Sequence, residues 1–385
     1  MQSPESGRTR RRLRELAFLF ARLGITAFGG PAAHIAMMQD EVVRRRKWLS
    51  ELQFLDLLGA TNLIPGPNST EMAIHIGWQR CGGAGLVVAG VAFIVPAMLV
   101  TGVLAWAYVQ FGSLPSMGWL LYGVKPVVLG IVVQAIWALA PQAARTWPLR
   151  VVGLAAVVAS ALGAHELAVL FASGCALAIV HGAFPSERSF KQALPLVPVV
   201  SGAVAASSFT LPGLFGVFLK IGSVLFGSGY VLLAFLRADL VNRLGWITES
   251  QLIDAVAVGQ VTPGPVFTTA TFIGYLLGGP SGALVATAGI FTPAFIFVAL
   301  SGPLIPRLRK SSLAGMFLDG VNVASVALMA VVTAQLGNAA LVDAPTIILA
   351  AASAFLLLRF KLNATWLVLG GAAVGWCVQA LRSSP

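Results

Sequence analysis

The sequence predicts an all-α membrane protein, a polytopic helical bundle built from two homologous repeats. Of its 385 residues, 57% are hydrophobic and only 10% are charged, whereas soluble domains have about 25% charged residues. Charge-poor runs of membrane-spanning length recur along the chain. The tripeptide Pro-Gly-Pro occurs twice, at Pro65-Gly66-Pro67 and Pro263-Gly264-Pro265. We expect helices to break at these motifs and at Gly-rich motifs.

The apolar runs predict the helices of each half in order. A hydrocarbon core of about 30 Å requires roughly 20 apolar residues per spanning helix. In the first half we predict helices over residues 13–43 (interrupted near Gly29-Gly30-Pro31), 51–79 (interrupted at Pro-Gly-Pro), 83–111, 117–142, 149–163 and 166–180. In the second half we predict them over residues 212–242, 249–277, 279–304, 313–336, 345–360 and 364–381.

The two halves are related by an offset of 198 residues. This offset superposes Gly24 on Gly222, Trp48 on Trp246 and Asp56 on Asp254, together with both Pro-Gly-Pro motifs. One deleted residue later, Pro96 falls on Pro293. An internal repeat is the simplest explanation of these matches. We predict a first repeat over 13–182, a connecting loop with a possible extra helix over 183–211, and a second repeat over 212–382.

The loop charges leave the membrane topology open. Basic residues both precede the first segment (Arg8 to Arg14) and follow it (Arg44 to Lys47), and the positive-inside rule places both groups on the cytoplasmic side. A re-entrant hairpin broken at Gly29-Gly30-Pro31 would satisfy this rule, whereas a full crossing would violate it. An extra helix in the connecting segment would invert the second repeat relative to the first, as in many secondary transporters.

Several function classes lack their sequence signals. Cys81, Cys175 and Cys377 are far apart, and no HExxH or P-loop pattern occurs. No cleavable signal peptide is expected after the basic start. We therefore predict that the protein is not an enzyme and binds no cofactor, metal or nucleic acid. We interpret the net charge of +11 as a determinant of membrane topology. The expected partners are the lipid bilayer and a small anion, with a homodimer as a possible assembly.

The Pro-Gly-Pro breaks are candidate anion sites. Each break exposes the N–H groups and the positive dipole end of the following half-helix. Potential donors follow at Asn68, Ser69 and Thr70 in the first repeat and at Thr268 and Thr269 in the second. The alternative is a kinked structural helix, since proline is common in membrane spans. Duplication of the motif with polar flanks favours the anion site.

Arg22 and Lys220 are candidate cations for this site. Each lies in an apolar stretch, seven residues before the glycine of a Phe-Gly pair, which is about two helical turns. Cations within a membrane segment are costly unless paired or hydrated, so they often mark function. The alternative is that both side chains extend to the interface.

Three carboxylates are candidates for proton or ion coupling. Asp56 and Asp254 occupy equivalent positions of the two repeats, whereas Glu71 follows only the first Pro-Gly-Pro motif. A desolvated Glu71 could carry a proton in exchange for substrate. It could equally cap its own helix. His34 and His75 lack counterparts and are expected to form hydrogen bonds in the interior.

The ordered motifs resemble the chromate ion transporter family. Phe28-Gly29-Gly30-Pro31 and Pro65-Gly66-Pro67 recur as Phe226-Gly227-Ser228-Gly229 and Pro263-Gly264-Pro265. The resemblance covers both halves and is to the long, two-domain form. It implies an inner-membrane protein that exports chromate and confers chromate resistance, with a relation to sulfate handling and with halves of opposite orientation in shorter relatives. It also marks Gly29, Gly30, Gly227 and Ser228, the Pro-Gly-Pro breaks, Arg22 and Lys220 as site residues.

Our sequence-based hypothesis is a secondary transporter that binds a tetrahedral oxyanion between the repeats. The residues alone predict only that the transported solute is small and anionic, and the resemblance supplies the name chromate. Transport or channel conduction of sulfate or another small anion is the main alternative, because chromate and sulfate are near-isosteric dianions. A membrane-embedded enzyme is a minor alternative, since no nucleophile and base recur at a consistent spacing.

Overall fold

The computed structural model describes residues 4–27, 30–112, 114–183, 209–226, 229–308, 312–360, 362 and 364–383. Within these residues it is helical, and it contains no β-strand. The α-helices are α1 (Pro4–Thr26), α2 (Gly30–Gln39), α3 (Glu51–Thr61), α4 (Asn68–Phe111), α5 (Pro115–Ala143), α6 (Trp147–Ala161), α7 (Glu166–Ala183), α8 (Leu211–Val224), α9 (Leu232–Leu236), α10 (Glu249–Val261), α11 (Thr269–Leu308), α12 (Ser312–Ala340), α13 (Ala344–Phe360) and α14 (Ala364–Ser383).

The predicted all-α membrane bundle of two repeats is confirmed. Five of the described helices are long and apolar enough to cross a membrane, within residues 68–111, 118–143, 266–301, 312–340 and 364–382. The helix predicted from residue 13 begins earlier, at Pro4; the added residues include Glu5 and four arginines, which are good helix formers. Apart from residues 209 and 210, the predicted extra helix lies outside the described residues.

Local structure repeats with the sequence. A π-helical turn ends at Arg45 in the first half and at Arg243 in the second. Ser50 and Thr248 then form the same capping box with a glutamine three residues on. Cys81-Gly82 and Gly278-Gly279 break α4 and α11 with nearly identical dihedrals, φ −144° and ψ 23° at the first residue of each pair. The two halves of the chain therefore repeat in backbone conformation as well as in sequence.

The same kinks locate the one-residue deletion. Pro-Gly-Pro aligns at an offset of 198, whereas Cys81 and Gly278 align at 197. Under the second offset Gly77 and Gly274 are equivalent, and each packs directly against a glycine eight residues later in its own helix. The deletion therefore lies between the Pro-Gly-Pro motif and this close helix contact.

The repeats interlock through exchanged helix contacts. In the first repeat α5 packs against α13 and α14 of the second, while α12 of the second packs against α6 and α7 of the first. Backbone approaches closely at both places, because Gly123 lies against Gly371 and Gly320 lies against Ser173 and Gly174. Small residues permit such approach between membrane helices. Helices α4 and α11 pack together between the two halves.

The first and eighth helices end inside the protein. After α1, which has 23 residues, the chain breaks, and the 10-residue α2 continues directly into the π-helical turn Asp40–Arg45. Helix α8 has 14 residues and is also followed by a break. The re-entrant topology of these segments stays a prediction.

We expect Lys47→Gly to stabilise the protein. Lys47 is the one non-glycine residue with positive φ (51°) among the described residues, and its equivalent, Gly245, has φ 62°. A left-handed residue with a Cβ costs about 1–2 kcal/mol, partly offset by the greater unfolded-state freedom of glycine. Thermal unfolding in detergent should show a gain of up to about 1 kcal/mol. A destabilised Lys47→Gly variant would contradict this account of the turn.

Candidate functional site

The two Pro-Gly-Pro breaks are joined to the opposite repeats by reciprocal hydrogen bonds. The Gly66 N–H donates to the Leu225 carbonyl at the end of α8, at 2.8 Å. The Gly264 N–H donates to the Ala27 carbonyl at the end of α1, at 2.9 Å. Ala27 and Leu225 are themselves equivalent under the 198-residue offset. Each repeat therefore inserts its break against the interrupted helix of the other.

The glycine of each motif has a backbone conformation that other residues rarely adopt. Gly66 has φ +138° and Gly264 has φ +86°. A Cβ on Gly264 would lie 2.6 Å from the Cβ of Ala97 in α4 and 3.0 Å from the Gly24 carbonyl of α1. The flanking prolines, Pro65, Pro67, Pro263 and Pro265, prevent the helix from closing over the break. Glycine is required here by both dihedral angle and space.

In the first repeat, polar side chains follow the break, and one of their buried hydroxyls is unpaired. Pro67 precedes the first turn of α4, where Ser69 and Thr70 are buried. The Thr70 hydroxyl is buried and has no hydrogen-bond partner. The Asn68 amide donates to the Asn62 side chain at 2.9 Å, which ties the two sides of the break together. A helix N-terminus with an unused buried hydroxyl suits an oxyanion.

In the second repeat, the corresponding hydroxyls bond to their own backbone. Thr268 donates to the Pro265 carbonyl at 2.9 Å, and Thr269 donates to the Val266 carbonyl at 2.8 Å. The chain here begins as a 3-10 turn, Val266–Thr268, before α11. These threonines have used their only donor. The two breaks are related in backbone but differ in free polar groups.

Glu71 lies directly on the first break. It is 0% exposed, neither carboxyl oxygen has a hydrogen-bond partner, and a Cβ on Gly66 would overlap its Oε1 atom. The equivalent residue in the second repeat is Thr269 at an offset of 198 or Thr268 at 197. A buried carboxyl group without a donor either carries a proton or meets a donor from outside the protein. Glu71 is thus a specific feature of the first repeat.

Two histidines and a further threonine add to the polarity of the first repeat. His34 donates a hydrogen bond from Nε2 to the Ala27 carbonyl at 3.0 Å, as expected for an interior histidine. His75 lies one turn after Glu71, and its Nε2 atom has no partner. Thr101 is buried with an unpaired hydroxyl, and its equivalent is Val298. Near the first break, Thr70, Glu71 and His75 therefore all carry buried polar atoms without a hydrogen-bond partner.

Arg22 and Lys220 are paired with carboxylates. Arg22 binds Glu41, which also binds Arg45 at 3.3 Å and Arg46 at 3.0 Å. Lys220 binds Asp239, the residue equivalent to Glu41, and Arg243 binds the same carboxylate at 2.9 Å. Arg22 lines an open pocket of about 520 Å³ together with Thr26, Asp40, Glu41 and Arg45. The contacts of both cations link α1 or α8 to the π-helical turn, so their role as anion ligands stays a prediction.

Asp56 and Asp254 have different environments although they are equivalent in sequence. Asp56 is exposed on α3. Asp254 on α10 is 1% exposed, accepts a hydrogen bond from the Tyr108 hydroxyl at 2.8 Å, and lies 3.5 Å from the Lys125 ammonium. Sequence reasoning missed Lys125 and Tyr108. The signal for Lys125 was present, since it is a lysine inside the predicted span 117–142.

The Gly-rich turns are only partly described. Gly30 opens α2 with φ +77°, which agrees with a break at this point. The predicted site residues Gly29, Gly227 and Ser228 lie outside the described residues. Within the described part of the chain, no group of three or more His, Cys, Asp or Glu side chains is arranged to hold a metal ion.

Comparison with known proteins identifies relatives over nearly the whole chain. The family model described as "Chromate transporter" matches residues 14–180 and again 212–376. The chain is 34% identical over 371 residues to a chromate transport protein of Cupriavidus metallidurans, covering 94% of this chain and 92% of the relative. It is 31% identical to a chromate transport protein of Pseudomonas aeruginosa, covering 93% and 91%. A probable chromate transport protein of Synechococcus elongatus is 31% identical, with 88% of each chain covered. No solved structure matches.

Proposed function

The chain belongs to the chromate transporter family, and we propose that it is a secondary transporter that binds a tetrahedral oxyanion between its two Pro-Gly-Pro breaks and exports chromate. The observation that carries the proposal is the reciprocal pair of hydrogen bonds from Gly66 and Gly264 to the opposite repeats. They join the two interrupted helices at the interface between the repeats, where such transporters bind their substrates.

The proposed ligands belong mainly to the first break. The N-terminal N–H groups of α4, the buried Ser69 and the unpaired Thr70 hydroxyl can donate to oxyanion oxygens. At the second break, Thr268 and Thr269 are occupied by their own backbone, so its backbone N–H groups would contribute instead. Donors of this kind recognise tetrahedral shape and negative charge and separate chromate from sulfate poorly.

We propose that the repeats are inverted in the membrane. Gly90 of α4 packs against the ring of Phe295 in α11, and the residue equivalent to Phe295 is Met98, eight residues after Gly90. If the two helices were parallel and related by a two-fold axis, equivalent residues would lie at the same height. Gly90 would then be displaced from Phe295 by eight residues, or about 12 Å along the helix axis. Antiparallel helices accommodate this contact. The two-fold axis then lies in the membrane plane.

We further propose that the protein acts in the bacterial inner membrane and confers chromate resistance by efflux. Export of a dianion removes negative charge from the cell interior, so a membrane potential that is negative inside drives it, by roughly 2.3 kcal/mol per charge per 100 mV. The sequence contains no P-loop that would supply nucleotide drive. Sulfate is the second candidate substrate on grounds of shape and charge.

The decisive experiment measures chromate content in cells that express the protein and in cells with an empty vector, with and without excess sulfate. We expect lower chromate content with the protein, and uptake of chromate into inverted membrane vesicles. The amount of the protein in each membrane preparation is measured alongside, as the control for expression. Equal chromate content and no vesicle uptake of chromate would overturn the substrate assignment. Vesicle uptake of sulfate without uptake of chromate would assign sulfate as the substrate.

We expect Thr70→Val to weaken chromate binding without harming the fold. Valine has nearly the same shape, and the hydroxyl that it replaces has no partner within the protein. A hydrogen bond to a charged group contributes about 1.5–3 kcal/mol, so the apparent chromate affinity should fall by roughly tenfold or more. The measurement is the concentration dependence of vesicle uptake.

Thr268→Val is the matched control for this substitution. Its hydroxyl bonds to the Pro265 carbonyl, so the change should affect stability more than affinity. Equal losses of affinity in both variants would mean that both breaks donate hydroxyls to the anion, and an unchanged affinity in Thr70→Val would remove Thr70 from the site.

A further inference from the structure

A cluster of charged and polar side chains holds α10 of the second repeat against the first repeat. Asp254 accepts the Tyr108 hydroxyl of α4 at 2.8 Å and lies 3.5 Å from the Lys125 ammonium of α5. Lys125 also donates to the Ser250 hydroxyl of α10 at 2.6 Å. We call Tyr108, Lys125, Ser250 and Asp254 the latch. Each of its contacts crosses between the repeats, and Asp254 is buried among them.

The equivalent surface of the first repeat is undocked. Helix α3 is the counterpart of α10, yet it packs mainly against α4, whereas α10 packs against α5, α11, α12 and α14. Leu55 is 51% exposed, while its equivalent Ile253 is 1% exposed. Leu52 is 71% exposed, and Asp56 is exposed beside it. The repeats thus share a local fold but differ in how this helix is placed.

The exposed face of α3 is mixed in character. It combines Leu52 and Leu55 with Asp56. Two large exposed leucines on an otherwise polar face form a surface that can be buried. The internal symmetry of the protein indicates which helix would cover this face. The counterpart of the contact between α10 and α5 is a contact between α3 and α12.

We propose that the latch is the gate of one end state of the transport cycle, and that in the other end state α3 docks on α12 while the latch opens. This inference rests on the proposed transport function. A carrier built from two inverted repeats reaches its second state when the repeats exchange conformations. Asp254 and Asp56 are then gate residues that are buried in alternate states, in place of the ion-coupling role predicted from the sequence.

The two gates differ in strength because the sequences of their docking surfaces differ. Under the offset of 197, Asn322 stands where Lys125 stands, and Ile305 stands where Tyr108 stands. Docked α10 therefore has an ammonium and a phenol for its aspartate, whereas docked α3 has an amide. The latch biases the protein toward the state with α10 docked. Replacing Lys125 by asparagine makes the two docking surfaces alike at this position.

The test is a cysteine pair at Leu52 and Asn322, the positions equivalent to Ser250 and Lys125. It leaves the latch intact. The three native cysteines are first replaced, with Cys81→Gly at the kink because Gly278 has the same conformation there. The full-length protein in proteoliposomes is treated with a short bifunctional thiol reagent, with and without chromate. Leu52→Cys with Leu162→Cys, an exposed residue at the end of α6, is the control pair.

We expect the Leu52–Asn322 pair to cross-link above the control pair, and the cross-link to arrest chromate transport until the reagent is cleaved. Adding Lys125→Asn should raise the cross-linked fraction by roughly tenfold, because removing one partner of a buried ion pair leaves the other charge uncompensated. Tyr108→Phe, which removes only one hydrogen bond, should act in the same direction and serves if Lys125→Asn does not fold.

A cross-linked fraction no higher than that of the control pair, with and without the latch substitutions in folded protein, would overturn the gate. This outcome is distinct from failure of the proposed function. If the uncross-linked parent protein transports neither chromate nor sulfate, the oxyanion assignment fails, and the cross-linked fraction still reports whether α3 docks on α12.

Discussion

Gly264→Ala is expected to destabilise the protein by about 2–5 kcal/mol and to abolish transport. The residue has φ +86°, and its Cβ would lie 2.6 Å from the Cβ of Ala97, on backbone that the neighbouring helices hold in place. The strain of a left-handed residue with a Cβ contributes about 1–2 kcal/mol, and overpacking adds about 1–3 kcal/mol. Relief by backbone movement would stretch the hydrogen bond from Gly264 to Ala27.

The measurement is the folded fraction and the thermal unfolding temperature of purified protein in detergent. Gly216→Ala is the matched control, since Gly216 lies within α8 with nothing near its Cβ position. That change should stabilise the helix by up to about 1 kcal/mol. A Gly264→Ala variant that unfolds at the temperature of the parent protein would contradict the role assigned to this contact.

Gly66→Ala should separate folding from transport. Its Cβ would meet the end of the Glu71 side chain, which can rotate away, instead of rigid backbone. We expect a smaller loss of stability than in Gly264→Ala, because φ +138° is still strained but the clash is relieved. Transport should nevertheless fall, since Glu71 is displaced from the break.

Helix positions and the repeat were predictable because they are local properties. Apolar length identifies a span, and Pro-Gly-Pro breaks a helix wherever it occurs. The matched capping boxes at Ser50 and Thr248 likewise depend on residues three positions apart. Such patterns act within a few residues, so a single sequence contains them.

The arrangement at the interface between the repeats was less predictable, because it depends on residues distant in the chain. Nothing near Gly66 indicates that its N–H donates to Leu225. Lys125 was visible as a cation in a span, but its partner Asp254 is in the other repeat. The sequence marks Arg22 and Lys220 as cations in apolar segments. Their ion pairs with Glu41 and Asp239, in contrast, depend on how the π-helical turns pack.

Glu71 differs from these because its effect follows from burial and charge together. Its carboxyl group has no donor within the protein and touches the glycine of the first break. If it were ionised about 5 Å from a bound dianion, repulsion would cost roughly 3 kcal/mol per anion charge at an effective dielectric constant of about 20. A proton on Glu71 removes this cost. Proton and anion therefore favour each other's binding, which supports movement in the same direction instead of exchange.

We expect Glu71→Gln to keep the fold and to bind chromate, but to lose the response of transport to a pH gradient. Glutamine has the shape of the neutral carboxyl group and cannot release a proton. In proteoliposomes clamped at zero membrane potential, acidifying the side that contains chromate should accelerate uptake by the parent protein about tenfold or more, given the size of the repulsion. Uptake by the variant should be the same with and without the gradient.

Asp343→Asn is the control for removing a carboxylate. Asp343 lies between α12 and α13, outside the spanning helices, and hydrogen bonds led by the one from Tyr122 lower its pKa to about 2. It therefore stays ionised near neutral pH and cannot carry a proton through the cycle, so its variant should keep the full response. A Glu71→Gln variant that keeps it too would place the coupled proton elsewhere, and His75, one turn along α4 with an unpaired Nε2, would be the next residue to replace. The two substitutions thus distinguish a proton bound at the break from a general effect of pH on the protein.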